Sequence, residues 1–156
     1  MFNKIIKFIL VIILFSINTI TLDHKIISNT YVSEPINVTP EFLLKSPKEG
    51  LLEALIYYEV KFPEIIYAQA VLETGNFTSN GCKNKNNLFG LMKNNRLRVF
   101  NHWSESVIFY KNRIQNRYKS NETYYQFLNR IRYAEDPYYI SKLKKVVNNN
   151  DTRRSK

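Results

Sequence analysis

A mainly α fold with a minor β element is the class this 156-residue chain predicts. Helix-opening signals recur at Ser46, Pro63, Ser104, Asn121 and Asp136, and the apolar residues that follow them keep helical spacing. Alternation of the strand kind is confined to a few positions around Arg96. The length suits one domain with a real core and is short for two.

Residues 1–22 carry Lys4 and Lys7 ahead of an apolar run from Phe8 to Phe15, the pattern of an export signal. That run is shorter than a spanning helix needs, yet no A-x-A cleavage pattern follows, so an uncleaved anchor with N-terminal membrane association is the other reading. Either way the chain is expected to be exported, to the periplasm or cell envelope. Residues 23–45, with Pro35 and Pro40 and no sustained period, read as a linker or irregular arm.

The domain is expected over 46–147. Ser46, Pro47 and Glu49 supply an N-cap, a proline at the first helical position and a capping-box acid for a helix reaching about Lys61. Pro63 opens a second helix in which Ile66, Ala70 and Glu73 share a face, and Gly75 ends it. The stretch from Asn76 to Asn87 has the composition of a loop, LFGLM reads as a short apolar turn or strand, and Arg96 to Val99 suggests a small strand or hairpin. Ser104 and Glu105 open a third helix through about Tyr118, Asn121 and Glu122 a fourth through about Arg132, and Asp136 with Pro137 a fifth. The fifth should fade at the polar Asn148 to Asn150 run, leaving 148–156 as an unstructured basic tail.

The net charge is +10, and residues 1–22 hold two of the lysines and no acid, so the excess belongs to the remainder. A basic surface favours polyanions: wall polymers, nucleic acid or anionic membrane. Export counts against nucleic acid. Cys82 is the only cysteine, which rules out an intrachain disulfide, and His24 and His102 lack metal-ligand spacing, so neither a metal site nor a cofactor is expected.

The segment AQAVLETGNF, Ala68 to Phe77, ends the second helix with one carboxylate. In the last turn of a helix the backbone carbonyls disfavour negative charge, and apolar neighbours desolvate it, so the pKa of Glu73 should rise. A carboxyl group still protonated near neutral pH is what glycoside hydrolysis needs in order to protonate the leaving oxygen. Glu73 is therefore the candidate general acid; the plainer alternative is a surface glutamate closing a helix. No spacing identifies a second carboxylate, and no acid lies between Gly75 and Ser104. Asp136, before Pro137, reads first as an N-cap. Tyr133, Tyr138 and Tyr139 cluster around it and suit the apolar faces of sugar rings. Tyr57, Tyr58, Tyr110, Tyr124, Tyr125 and Phe127 sit within helix patterns and read as core.

Three motifs then stand in order: AQAVLETGNF, NNLFGLM at Asn86 to Met92, and YAEDPYYISKL at Tyr133 to Leu143. Together the set resembles the catalytic domain of the bacterial glucosaminidases of glycoside hydrolase family 73, over roughly Ser46 to Val147. The resemblance implies a lysozyme-like helical domain with a cleft and a minimal β lobe, and cleavage of the β-1,4 bond after N-acetylglucosamine in peptidoglycan glycan strands. It implies Glu73 as the catalytic acid, Tyr133 as the cleft tyrosine, and Asn87, Phe89, Gly90 and Asp136 as residues shaping the substrate site. Many members carry a second acid in a hairpin after NLFG, and Leu91 to Trp103 here contains none. Substrate assistance by the 2-acetamido oxygen, or water held by Tyr133 or a polar neighbour, are the two ways to complete the reaction. A peptidoglycan-binding module with weak or no turnover is the alternative function.

Overall fold

The computed structural model describes residues 39–154, with side chains through residue 150. The expected signal or anchor, and most of the expected linker, lie outside the described residues. Within them are α1 (Pro47–Tyr57), α2 (Pro63–Glu73), α3 (Asn80–Lys85), α4 (Trp103–Arg113), α5 (Tyr124–Arg130) and α6 (Tyr139–Arg154), with a two-residue pair of strands, β1 (Met92–Lys93) and β2 (Arg96–Leu97). The fold is mostly helical with one small sheet, as a lysozyme-like helical domain requires.

Each start is written locally. The Glu49 carboxylate accepts from the Ser46 hydroxyl at 2.7 Å and the Ser46 N–H at 3.3 Å, closing the first turn of α1. Pro63 begins α2, and Ser79 caps α3 by accepting from the Cys82 N–H at 3.2 Å. The Asn76 to Asn87 stretch thus contains a short helix where its composition suggested only loop. The hairpin turns through Asn94 and Asn95, both with positive φ, the backbone a two-residue turn between twisted strands demands. Lys93 faces Arg96 across it.

Helix α2 is the central element. It packs on α1 and along α6, and its Ile66, Ala68, Gln69 and Ala70 are fully buried, as are Leu51, Ala54 and Leu55 of α1, Val107 and Tyr110 of α4 and Leu143 of α6. The domain begins earlier than its capping box implies. Residues Glu41–Leu44 form a 3-10 turn that buries Phe42, and the Trp103 indole donates to the Lys45 carbonyl at 3.1 Å. A Cβ on Gly50 would lie 2.9 Å from the Phe42 carbonyl oxygen, so α1 needs glycine there to accept this turn. At the other end α6 runs through the Asn148 to Asn150 run instead of fading. Asparagine costs a helix only some tenths of a kcal/mol to about 0.7 per residue, and Asn149 and Asn150 border Val71 and Asn76 at the end of α2. Tyr57 corrects another expectation: it is 60% exposed and leans on Phe42 and Tyr58 from outside.

The end of α5 sets up the site. The Arg132 N–H bonds the Asn129 carbonyl and the Tyr133 N–H the Leu128 carbonyl, each at 3.0 Å, a Schellman arrangement with Arg132 in the left-handed region at φ 49°. Glycine usually holds that position, and a residue with a Cβ there costs about 1–2 kcal/mol. The turn reverses the chain and points Tyr133 back into the domain.

Candidate active site

The buried helix α2 ends at Glu73. Thr74 closes it, donating its hydroxyl to the Ala70 carbonyl at 2.6 Å and accepting from the Phe77 N–H at 2.8 Å. Glu73 is half-buried, and burial raises its pKa, with an opposing hydrogen bond from the Tyr139 hydroxyl.

The second motif reaches Glu73 through a loop wound around one side chain. Asn87 is 2% exposed; its Nδ2 donates to the carbonyls of Leu91 at 2.8 Å and Arg98 at 3.1 Å, and its Oδ1 accepts from the N–H groups of Leu91 and Phe89. With both protons and both lone pairs engaged, Asn87 has nothing left for a ligand, and its role is to hold the loop. Phe89 is likewise buried, its ring 4.6 Å from that of Tyr110. Gly90 is the part of the loop that meets the carboxylate. A Cβ there would lie 3.2 Å from Glu73 Oε2, and its φ is +62°. Replacing Asn87 by alanine is expected to cost about 2–3 kcal/mol, as buried N–H and C=O groups lose their partners, read as a lowered urea midpoint.

The third motif closes the site from the α5–α6 turn. The Tyr133 hydroxyl donates to the Phe89 carbonyl at 3.0 Å, tying the turn to the loop. Its pKa is pushed far up by burial and then by the charges of Tyr139 and Glu73. Asp136 is on the rim. Its Oδ1 accepts from the Tyr138 N–H at 2.9 Å and its Oδ2 pairs with Lys142 at 2.6 Å, which, Lys142 first, holds its pKa down. The cap role expected of Asp136 is what its geometry supports. Two adjoining hollows result. One, about 340 Å³, is lined by residues that include Glu73, Glu135, Asp136, Tyr139 and Lys142; the other, about 230 Å³, by residues that include Gly90, Tyr133, Arg117 and Arg132. A larger hollow, about 430 Å³ and lined by Lys48, Phe77 and Lys83 among others, does not include Glu73. Among the described residues no group of three His, Cys, Asp or Glu side chains gathers as a metal-holding set.

Three ordered motifs meet at one carboxylate, and residues 51–152 match a family model, Glucosaminidase, described as mannosyl-glycoprotein endo-beta-N-acetylglucosaminidase. The chain belongs to the glucosaminidase family. Membership supports a peptidoglycan hydrolase in general. Among curated proteins nothing matches the chain.

Behind the carboxylate this member of the family holds a hydrogen-bond chain that its motifs do not announce. The Gln69 Nε2 donates to the Tyr139 hydroxyl at 3.2 Å, and the Tyr110 hydroxyl donates to Gln69 Oε1 at 2.7 Å. Tyr110 has thereby spent its proton, so Tyr124, 2.7 Å away, donates to Tyr110. Tyr124 bonds in turn to Gln115, whose amide pairs with both backbone groups of Lys61 at 2.8 Å. Tyr139, accepting from Gln69, is left to donate to Glu73. Burial keeps these phenols protonated: Tyr124 is pushed up to about 12, and burial likewise raises Tyr110 and Tyr139 well above the usual phenol range. From Tyr124 onward the donors, Tyr124, Tyr110, Gln69 and Tyr139, all point toward Glu73, an order that favours its ionised form against burial. A glutamine four residues before Glu73 on a buried face was the one sequence signal for it.

Replacing Tyr139 by phenylalanine removes that donor, so the Glu73 pKa should rise further. The Glu73 carboxyl carbon resonance should then titrate at higher pH; an unshifted titration would reject the role of Tyr139. Glu135, Asp136 and Lys142 border the same hollow as Glu73 and are unchanged in this variant.

Proposed function

We propose that this glucosaminidase acts in the cell envelope and hydrolyses the β-1,4 bond after N-acetylglucosamine in peptidoglycan, with Glu73 as general acid and Tyr133 positioning the substrate. The observation that carries this reading is Glu73 itself. Its carboxyl is held above the ordinary range by burial, yet it borders an open cleft. Protonated there, it can deliver a proton to the leaving glycosidic oxygen. Tyr133 works through the loop, since its hydroxyl fixes Phe89 and so Gly90, while its ring borders the second hollow. The basic N-terminal segment with its apolar run supports export, and the +10 net charge suits an anionic wall.

The hairpin, Met92 to Leu97, carries Lys93 and Arg96 and no acid, so the group opposite Glu73 comes from elsewhere. Within the cleft Asp136 is committed to Lys142, whereas Glu135 is exposed and, among the described residues, no ion pair holds it. Either water activated by Glu135 or the substrate's own 2-acetamido oxygen then attacks the anomeric carbon as the proton leaves Glu73. Digestion of purified peptidoglycan followed by mass spectrometry tests the reading. New reducing ends on N-acetylglucosamine are expected. Reducing ends on N-acetylmuramic acid would make the protein a muramidase, and sedimentation with the wall without any new reducing end would make it a binding module.

A further inference from the structure

The hollow on the far side of Gly90 from the acidic rim has its own chemistry. Leu91, Ile114 and Ile131 give it an apolar lining, its Gly90 lies against Glu73, and among the described residues the charged ones that line it are Arg117 and Arg132. Both arginines are exposed, and among the described residues no hydrogen bond or ion pair holds either guanidinium. Neighbouring arginines do have partners: Arg130 pairs with Glu122, and Arg98 lies over the Phe109 ring. Two like charges share a hollow with no acid in its lining, an arrangement that favours an anion.

Arg132 adds an independent observation. It occupies the left-handed position of the Schellman turn, where its Cβ is a burden and glycine would relieve strain. Nothing in the turn uses the side chain: both turn hydrogen bonds come from the backbone. The side chain is thus free of any part in the turn, exposed at the hollow whose lining includes Gly90.

We infer that Arg132, with Arg117, forms a subsite for a carboxylate carried by the sugar polymer next to the bond at Glu73. The inference rests on the function proposed above, because it names a feature of that substrate. Guanidinium groups match carboxylates in a planar, two-bond geometry, and the apolar lining suits the face of the sugar ring or its substituent. Two parts of a muramyl unit can supply the carboxylate, its lactyl ether or an attached stem peptide.

The test is binding to the full chain carrying Glu73→Gln, which needs no turnover. Three probes are compared at low salt: chitotetraose, with no carboxylate; a peptide-free tetrasaccharide of alternating N-acetylglucosamine and N-acetylmuramic acid, with free lactyl carboxylates; and the same sugar bearing stem peptides. The expected result is that at least one carboxylate-bearing sugar binds about tenfold more tightly than chitotetraose, the size of one charge-assisted hydrogen bond. Which one does so identifies the source. Adding Arg132→Gly should remove most of that preference while raising the urea midpoint, a pairing that a merely structural residue cannot give. Arg132→Lys should keep part of the preference and none of the gain in stability. Equal binding of all three sugars, or an Arg132→Gly protein that still prefers the carboxylate, overturns the subsite. If the Glu73→Gln protein shows the preference but the parent chain releases no reducing ends, hydrolysis is rejected and the subsite stands.

Discussion

Replacing Glu73 by glutamine is expected to lower the rate of reducing-end release by about 10²–10⁴-fold, the usual worth of a general acid, without loss of the fold. The amide is the same size and can still accept from Tyr139, but it has no proton to give. The same variant should be more stable than the parent, and only in one pH range. Burial raises the Glu73 pKa above its unfolded value, so the folded protein holds that proton more tightly than the unfolded chain. The penalty is absent below the unfolded carboxylate range, grows as pH rises through the folded value, and is complete above it. Glutamine never ionises. Urea midpoints for the two proteins should therefore approach one another near pH 4 and diverge in favour of glutamine near pH 8, on either side of the usual carboxylate range plus an upward shift. Undiminished wall clearing would reject the general acid, and a stability difference independent of pH would reject the burial argument.

Gly90→Ala should be the most damaging change outside Glu73. Its backbone φ of +62° imposes about 1–2 kcal/mol on any residue with a Cβ. More telling is where the new carbon falls, 3.2 Å from Glu73 Oε2, tighter than such contacts normally run. The loop cannot easily yield, because Asn87 anchors it from within and Tyr133 holds the Phe89 carbonyl. The carboxyl must give by a few tenths of an ångström, and because a misplacement of about 1 Å commonly costs about 10²-fold in rate, a loss below that size is expected. The expected signature is a fall in kcat with little change in KM, together with a lower urea midpoint. Parent-like kcat in a destabilised protein would show that the glycine serves the backbone alone.

Much of the fold was legible because its signals are local. Ser46 with Glu49, and Pro63, act within a few residues of themselves, and each sits where the structure begins an element. Glu73 was legible for the same reason, since helix end and apolar neighbours are adjacent in sequence. What the chain hid depends on distance. Gln69 meets Tyr110 and Tyr139 from 41 and 70 positions away, and no periodicity reports which tyrosine will face which amide. Asn87 and Phe89 are near the cleft yet turn inward, a choice made by the carbonyls of Leu91 and Arg98. Arg132 gave no signal beyond the approximate end of the fourth helix, because a left-handed backbone at an arginine leaves no mark in composition. The continuation of α6 past Val147 was missed because contact with α2 outweighs the weak helix preference of asparagine.

The packing of α6 along α2 also fixes when the site comes into being. A chain emerging from the ribosome completes Glu73 well before Tyr139, and domains are made from the N-terminus onward. Until α6 docks, Glu73 lacks the phenolic donor that Tyr139 brings and the packing of α6 along α2. Its chemistry thus belongs to the finished domain and not to any nascent fragment ending before residue 139. Contacts spanning 70 positions form slowly relative to helix turns, so hydrogen exchange during refolding should show the α2 amides protected before the Glu73 resonance takes its native position.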